Sequence, residues 1–223
     1  MRLALLTASI LLATASTAAG QGYYYPEPSK PESDSGGTPA AEVDANGNAV
    51  VPGSLGFDPV EVSVKVGDIV RWTNTDSSVP HTATEDHGLW RLSGTYGSPG
   101  PFQGFGPGES VERRFEAGTH HYYCEVHPEQ MKAVVKVPVK LKRLPGRRAR
   151  IRWSATAPAD GLSFDVQRRR NRGRWKPYRR ATTARDATFA LGERGTRWDV
   201  RARLRSSTDR AKATDWSPVA TIR

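Results

Sequence analysis

Between about Ala49 and Val139 the hydrophobic positions recur at every second residue. Val60, Val62, Val64 and Val66 alternate with Glu61, Ser63 and Lys65, and Gly67-Asp68 interrupts the run before Ile69-Val70-Arg71-Trp72-Thr73-Asn74. A period of two sends alternate side chains to opposite faces of an extended chain, so this stretch predicts two half-buried strands joined as a hairpin. Further strands are predicted at Val111 to Phe115, at Thr119 to Cys124 after the turn Glu116-Ala117-Gly118, and at Ala133 to Val137. The same period continues at Ala149 to Trp153, Leu162 to Arg168, Ala187 to Leu191, Trp198 to Arg203 and Asp215 to Pro218. There it places Ile151, Trp153, Phe164, Val166, Trp198, Val200 and Ala202 on one face and the arginines opposite. No window has helical periodicity, so the fold class is all-β, with sandwiches favoured over an open sheet.

Three stretches break this pattern. The start, Met1-Arg2-Leu3-Ala4-Leu5-Leu6 through Ile10-Leu11-Leu12 into Ala13 to Gly20, has one positive charge, a short apolar centre and small residues at its end. That is the pattern of a secretory signal peptide over residues 1–20, and the run is too short to span a bilayer. Residues 21–48 are rich in Pro, Ser, Gly and Glu and read as a flexible, disordered linker, because they offer too little apolar area to offset ordering entropy. Lys140 to Gly146 reads as a junction. The expected organisation is therefore a leader (1–20), a linker (21–48), one β-sandwich (49–138) and a second (139–223).

Charge separates the two sandwiches. Residues 139–223 hold 24 basic and 7 acidic side chains, a balance of +17, whereas the rest of the 223-residue chain holds 9 basic and 16 acidic. Cysteine use is sharper still. A single Cys, Cys124, excludes an intramolecular disulfide framework and any Cys-rich zinc or iron–sulfur site built from this chain alone. In an exported protein an odd thiol has to be buried, ligated or used between molecules.

Chemistry gathers where the strands of the first sandwich end. His81 follows the loop after Trp72, and 43 positions later comes Cys124-Glu125-Val126-His127-Pro128-Glu129-Gln130-Met131. One thiolate, two imidazoles and one thioether form the donor set of a mononuclear blue-copper site, which must suit both Cu(I) and Cu(II) so that little moves when an electron is exchanged. These residues resemble the plastocyanin, pseudoazurin and amicyanin group of cupredoxins. The matching stretches are Gly56-Phe57-Asp58-Pro59, Val64 to Asp68, Val70 to Asn74, Pro80-His81-Thr82, Ala117-Gly118-Thr119 and Tyr122 to Met131, over about ninety residues. The resemblance implies a Greek-key sandwich holding one type 1 copper ion on His81, Cys124, His127 and Met131, with the main chain around Thr82 helping to hold the Cys124 sulfur. His127 would be the partly exposed ligand through which electrons pass, near a docking patch that includes Pro128 and the residues near Pro80. Two departures stand out: three residues separate His127 from Met131, between the amicyanin-like and plastocyanin intervals, and Ala133 stands where the family usually has Gly.

The remaining histidines, His87, His120 and His121, read as exposed loop or strand residues, with a weak second Cu(II) or Zn(II) site at His120 and His121 as the lesser alternative. Five histidines without a His-x-His pair cannot build the trinuclear cluster of a multicopper oxidase. A filled four-donor site also leaves no position for a substrate, so no catalytic residues and no enzyme activity are expected. The function expected is exported single-electron transfer to an unnamed redox protein. The alternative is an extracellular binding, adhesion or copper-handling protein.

Residues 139–223 hold neither Cys nor His, and their strands resemble a fibronectin type III domain. Trp198 stands where that family has its corner Tyr, and the phenolic hydrogen bond of that corner is expected to be missing. The runs Gln167 to Arg174 and Tyr178 to Arg180 read either as a solvated face or as an anchor for an anionic cell-surface polymer that leaves the copper sandwich free on its linker. Sequence-specific nucleic-acid binding is not expected, since no recognition-helix pattern is present. The leader, without an organelle transit signature, and the Arg- and Ala-rich composition point to a secreted, periplasmic or cell-surface location in a bacterium.

Overall fold

The structure, a computed structural model, describes residues 37–47, 56–97 and 103–223. The expected signal peptide and the first part of the linker lie outside the described residues. Every element is a strand, which agrees with the all-β reading, and no helix among the described residues is long and apolar enough to cross a membrane.

The first pair of sheets is built from β1 (Ala41–Asn46), β2 (Gly56–Asp58), β3 (Glu61–Ser63), β4 (Ile69–Asn74), β5 (Ala83–Glu85), β6 (Arg91–Leu92), β7 (Ser110–Arg114), β8 (Gly118–Tyr123) and β9 (Lys132–Val137). One sheet has the order β2-β1-β4-β7 and the other β3-β9-β8-β5-β6. The predicted hairpin does not form. The turn at Gly67 (φ 94°) is real, with Asp68 N–H bonded to the Lys65 carbonyl at 3.0 Å. It passes the chain from one sheet to the other: β3 pairs in parallel with β9, and β4 pairs with β1 and β7. Val62 and Val64 thus approach the core from one side, and Val70 and Trp72 from the other.

β1 lies within residues 21–48 and corrects the expectation of a disordered linker there. Val43 and Ala45 are fully buried, and the strand pairs in parallel with β4 from Ala41↔Val70 to Ala45↔Asn74. Two small apolar side chains are a weak local signal; their burial against Trp72 is a tertiary effect.

The second pair of sheets comprises β10 (Lys140–Leu144), β11 (Arg148–Arg152), β12 (Leu162–Arg170), β13 (Lys176–Thr182), β14 (Asp186–Ala190), β15 (Trp198–Ser206) and β16 (Ala220–Ile222), ordered β10-β11-β14 and β13-β12-β15-β16. Lys140 to Gly146, expected as a junction, is mostly β10 and pairs with β11 through a turn at Gly146 and Arg147, both with positive φ. Asp215 to Pro218, expected as a strand, instead meets β8: Thr119 and Asp215 exchange two backbone hydrogen bonds of 3.1 and 3.2 Å. The Thr119 hydroxyl adds a bond to the Trp216 carbonyl at 3.0 Å. The Ala117 N–H donates to the Trp153 carbonyl at 2.7 Å, and the buried side chains of both pairs of sheets form one continuous cluster. The first sandwich is therefore docked on the second and does not ride free of it.

His120 is a further correction, since it is fully buried rather than exposed. Its Nδ1 accepts the Trp90 indole N–H at 3.3 Å and its Nε2 donates to the Glu116 carbonyl at 3.1 Å, with the Phe115 ring 5.0 Å away centre to centre. Burial pushes this imidazole below the ordinary value of 6.5, against the pull of Glu116. A histidine with a depressed folded-state pKa leaves stability unchanged above its unfolded value and removes stability below it, because the unfolded chain then binds the proton that the folded chain refuses. The metal-free protein is therefore expected to lose stability as pH falls below about 6.5, and His120→Gln to flatten part of that slope in denaturant titrations at several pH values. An unchanged slope would show that His120 is not the titrating group.

Candidate metal centre

β8 alternates strictly, so His120, Tyr122 and Cys124 all face inward and are buried while Thr119, His121 and Tyr123 face the other way. Tyr122 anchors the strand end. Its hydroxyl accepts the Trp72 indole N–H at 3.1 Å, within a cluster that includes Phe57, Trp90 and Phe115. Cys124 then opens a loop that closes on itself. The His127 N–H bonds to the Cys124 carbonyl at 3.1 Å, the Met131 N–H to the His127 carbonyl at 3.0 Å, and the Cys124 N–H to the Met131 carbonyl at 3.0 Å. The bond from Met131 to His127 spans four residues, so the three-residue interval between them closes as a single turn.

His81 is fixed from the opposite side. It exchanges backbone hydrogen bonds of 3.0 and 2.8 Å with Phe105, and the Asn74 side-chain amide bonds to the carbonyls of Val79 and Phe105 at 2.8 and 2.9 Å. The side chains converge. His81 Nδ1 lies 3.6 Å and His127 Nδ1 4.0 Å from the Cys124 sulfur, and one donor atom from each of the three residues lies within 4.8 Å of the others. The Thr82 N–H points at the same sulfur from 3.4 Å. Met131, the fourth residue singled out in the sequence, is fully buried on the same loop.

These separations suit a metal. Bonds of about 2.3 Å to thiolate and 2.0 Å to imidazole, roughly 120° apart, place sulfur and nitrogen about 3.7 Å from one another. Burial, and then the neighbouring His127, push the His81 imidazole down to about 4 against the pull of Asp76, so the ring is neutral near pH 7 and keeps a lone pair for a metal. Burial opposes ionisation of Asp76, but backbone N–H groups of Ser78, Val79 and Ser77 and the nearby His81 hold its carboxyl below the usual range.

The other histidines stay outside this cluster. His87 is exposed with its Nδ1 3.1 Å from Glu85, His121 is exposed and faces Asp215 at 3.4 Å, and His120 turns into the core. Adjacent residues of a strand point to opposite faces, so His120 and His121 do not form a joint site.

Three features of the centre had no signal in the motif. A Cβ on Gly47 would lie 2.6 Å from His81 Cε1 and 2.8 Å from His127 Cε1, so the bare backbone at the end of β1 forms a floor for both rings. Arg91 makes a bidentate pair with Glu125, whose N–H in turn donates to the Thr82 hydroxyl at 2.9 Å, locking the residue after Cys124. Asp76 sits behind His81, 3.6 Å from Nε2.

Comparison with known proteins gives concordant matches. The family model for copper binding proteins of the plastocyanin/azurin family matches residues 45–138. A plastocyanin from Scenedesmus fuscus is 35% identical over 78 residues, which is 34% of this chain and 78% of that protein. A chloroplastic plastocyanin from Tetradesmus obliquus has the same identity over 78 residues, covering 34% of this chain and 52% of that one. Among solved structures, a novel purple cupredoxin from Nitrosopumilus maritimus aligns at 32% identity and a TM-score of 0.32, over 44% of this chain and 98% of that one.

Filling the space under the rings should disturb them. Gly47→Ala is expected to weaken metal binding about 10–100-fold, the usual size of a change beside the ligands, as read by competition titration. Unchanged affinity would mean that Gly47 does not set the ring positions.

Proposed function

The chain belongs to the plastocyanin/azurin family of copper-binding proteins, and on that premise we propose that His81, Cys124 and His127, with Met131 as a weak axial donor, hold one type 1 copper ion in an exported single-electron carrier. The observation that supports this most strongly is the convergence of one buried sulfur and two imidazole nitrogens within 4.8 Å. When bound, copper supplies a Cu(I)/Cu(II) couple. The protein's part is to keep the donors in place. The Phe105 bridge fixes the backbone of His81, the closed loop fixes His127 and Met131, and the Thr82 N–H points at the Cys124 sulfur from 3.4 Å. His127 is half-buried, and Pro128 and Pro80 lie in exposed or half-buried positions, which suits a docking patch for a redox partner. Four protein donors leave no room for a substrate, so the role is carriage and not catalysis. The signal-peptide-like pattern of residues 1–20 supports a secreted or periplasmic setting.

For residues 139–223 we infer a fibronectin type III-like sandwich. The three-plus-four strand order supports it, as does the corner: the Trp198 indole N–H donates to the Leu191 carbonyl at 3.0 Å, so an indole makes the bond that a Tyr hydroxyl makes in that family. Its arginines are only partly free. Arg168 covers the Tyr178, Phe189 and Trp198 rings, and Arg169, Trp175, Arg201, Trp216 and Arg203 stack in alternation at 4.2–4.6 Å. Asp199 pairs with Arg169 and Arg197, and Asp165 with Arg203. Exposed cations such as Arg143, Arg147 and Arg194, which line one shallow cavity of about 310 Å³, are better placed to meet an anionic polymer.

Two measurements test these readings. With one equivalent of Cu(II) the protein is expected to show an intense thiolate-to-copper band that Cys124→Ser abolishes, while Met131→Leu keeps copper and raises the potential by weakening the support of Cu(II). A folded, colourless protein that takes up no copper would overturn the carrier reading. On a heparin column the full chain is expected to elute early as salt rises, since screening weakens contacts between exposed charges; no retention at low ionic strength would leave the second sandwich a spacer.

A further inference from the structure

One oxygen of the Asp76 carboxylate, Oδ2, and the far nitrogen of the His81 ring face each other inside the protein. Asp76 is 5% exposed and His81 0%, and Asp76 Oδ2 and His81 Nε2 both lack a hydrogen-bond partner among the described residues. They are 3.6 Å apart, just beyond hydrogen-bond reach, and a small rotation of either side chain closes the gap. Buried polar atoms are almost always paired, so two unpaired atoms aimed at one another are each other's partner.

The aim is built in. Asp76 Oδ1 accepts the Ser78 N–H at 3.1 Å, and the Asp76 N–H donates to Asn74 Oδ1 at 2.8 Å. The Asn74 amide meanwhile ties down Val79 and Phe105. With one oxygen and its backbone so engaged, Asp76 has only Oδ2 left to present to the ring.

We propose that Asp76 is a positioning residue of the metal centre: it accepts the Nε2–H of His81 and so holds the ring in the tautomer that offers a bare Nδ1 to copper. The inference rests on the reading of His81 as a copper ligand. A neutral imidazole has one proton, and placing it on Nε2 leaves the Nδ1 lone pair free on the side where the Cys124 sulfur lies 3.6 Å away. A carboxylate behind a histidine ligand fixes its orientation and raises its basicity. The extra negative charge favours Cu(II) over Cu(I), so Asp76 lowers the reduction potential.

Asp76→Asn separates this role from loop structure, because the amide keeps an oxygen for the Ser78 N–H and loses only the charge and the second acceptor. The copper-loaded variant is expected to keep its charge-transfer band and to bind Cu(II) about tenfold more weakly relative to Cu(I), which for a one-electron couple is a rise of about 59 mV. An unchanged potential in a folded, copper-loaded variant would overturn the proposal, since a purely structural Asp76 predicts that result. A second measurement does not depend on the variant or on copper. Nitrogen-15 NMR of the metal-free wild-type chain is expected to show His81 protonated on Nε2, and protonation on Nδ1 would overturn the proposal. Failure of the wild type to bind copper would instead overturn the ligand assignment, and the tautomer would still decide whether Asp76 holds the ring.

Discussion

The arrangement of the first sandwich depends on one sulfur atom being taken out of water. Strand alternation on β8 commits Cys124 to the inside once Tyr122 is locked against Trp72. A thiolate in apolar surroundings is unstable unless something stabilises its charge. Around this sulfur stand the Thr82 N–H and two imidazoles, one of them kept neutral by burial. The crossing between sheets at Gly67, the Phe105 bridge and the self-closing loop after Cys124 all bring chain segments from far apart in sequence to that point. Copper chemistry needs the donors held in position, and this backbone network ties together the segments that carry them.

The sequence shows such a site better than it shows the fold around it. Period-two alternation located most strands because burial of one face is a local property of the chain. Pairing is not local. Nothing in Val60 to Asn74 says that the turn at Gly67 leads into another sheet, and nothing in Ala41 to Asn46 outweighs the Pro- and Ser-rich stretch before it. The metal cluster was legible because the chain has a single Cys, with a His three residues on and a Met four beyond that. Gly47, Asp76 and Arg91, which clamps Glu125, were not, since each of the three comes from a segment with no fixed spacing to that loop and acts only through three-dimensional proximity. His120 was misjudged for a related reason: a polar residue on the inner face of a strand is buried only if the core supplies partners, here the Trp90 indole and the Glu116 carbonyl.

Charge counting misleads in a similar way. The balance of +17 over residues 139–223 suggests a uniformly cationic surface. Part of it is engaged within the molecule, where guanidinium planes of partly buried arginines cover aromatic rings and meet the buried carboxylate of Asp199. Arg201, stacked between Trp175 and Trp216, has its pKa lowered by burial and by Arg169 and Arg203, and its charge-bearing edge bonds to the neutral Gln167. Guanidinium suits this use because it is planar and weakly hydrated, so stacking it costs less than burying an ammonium. Net charge therefore overstates the number of cations available to a partner.

β8 links the two sandwiches. Its Thr119 end is hydrogen-bonded to the second sandwich through Asp215 and Trp216, and its other end leads into Cys124. Five residues at roughly 3.3 Å each separate those points by about 16 Å along the strand. The second sandwich is thus attached at the end of β8 remote from the half-buried His127. A bare linker between the sandwiches would have left their relative position to chance; the hydrogen bonds from β8 and Ala117 to Asp215, Trp216 and Trp153 fix it. A surface engaged by the basic sandwich, as proposed above, would then hold the His127 face at a set distance and orientation, and anchoring would not compete with electron exchange for the same side of the molecule.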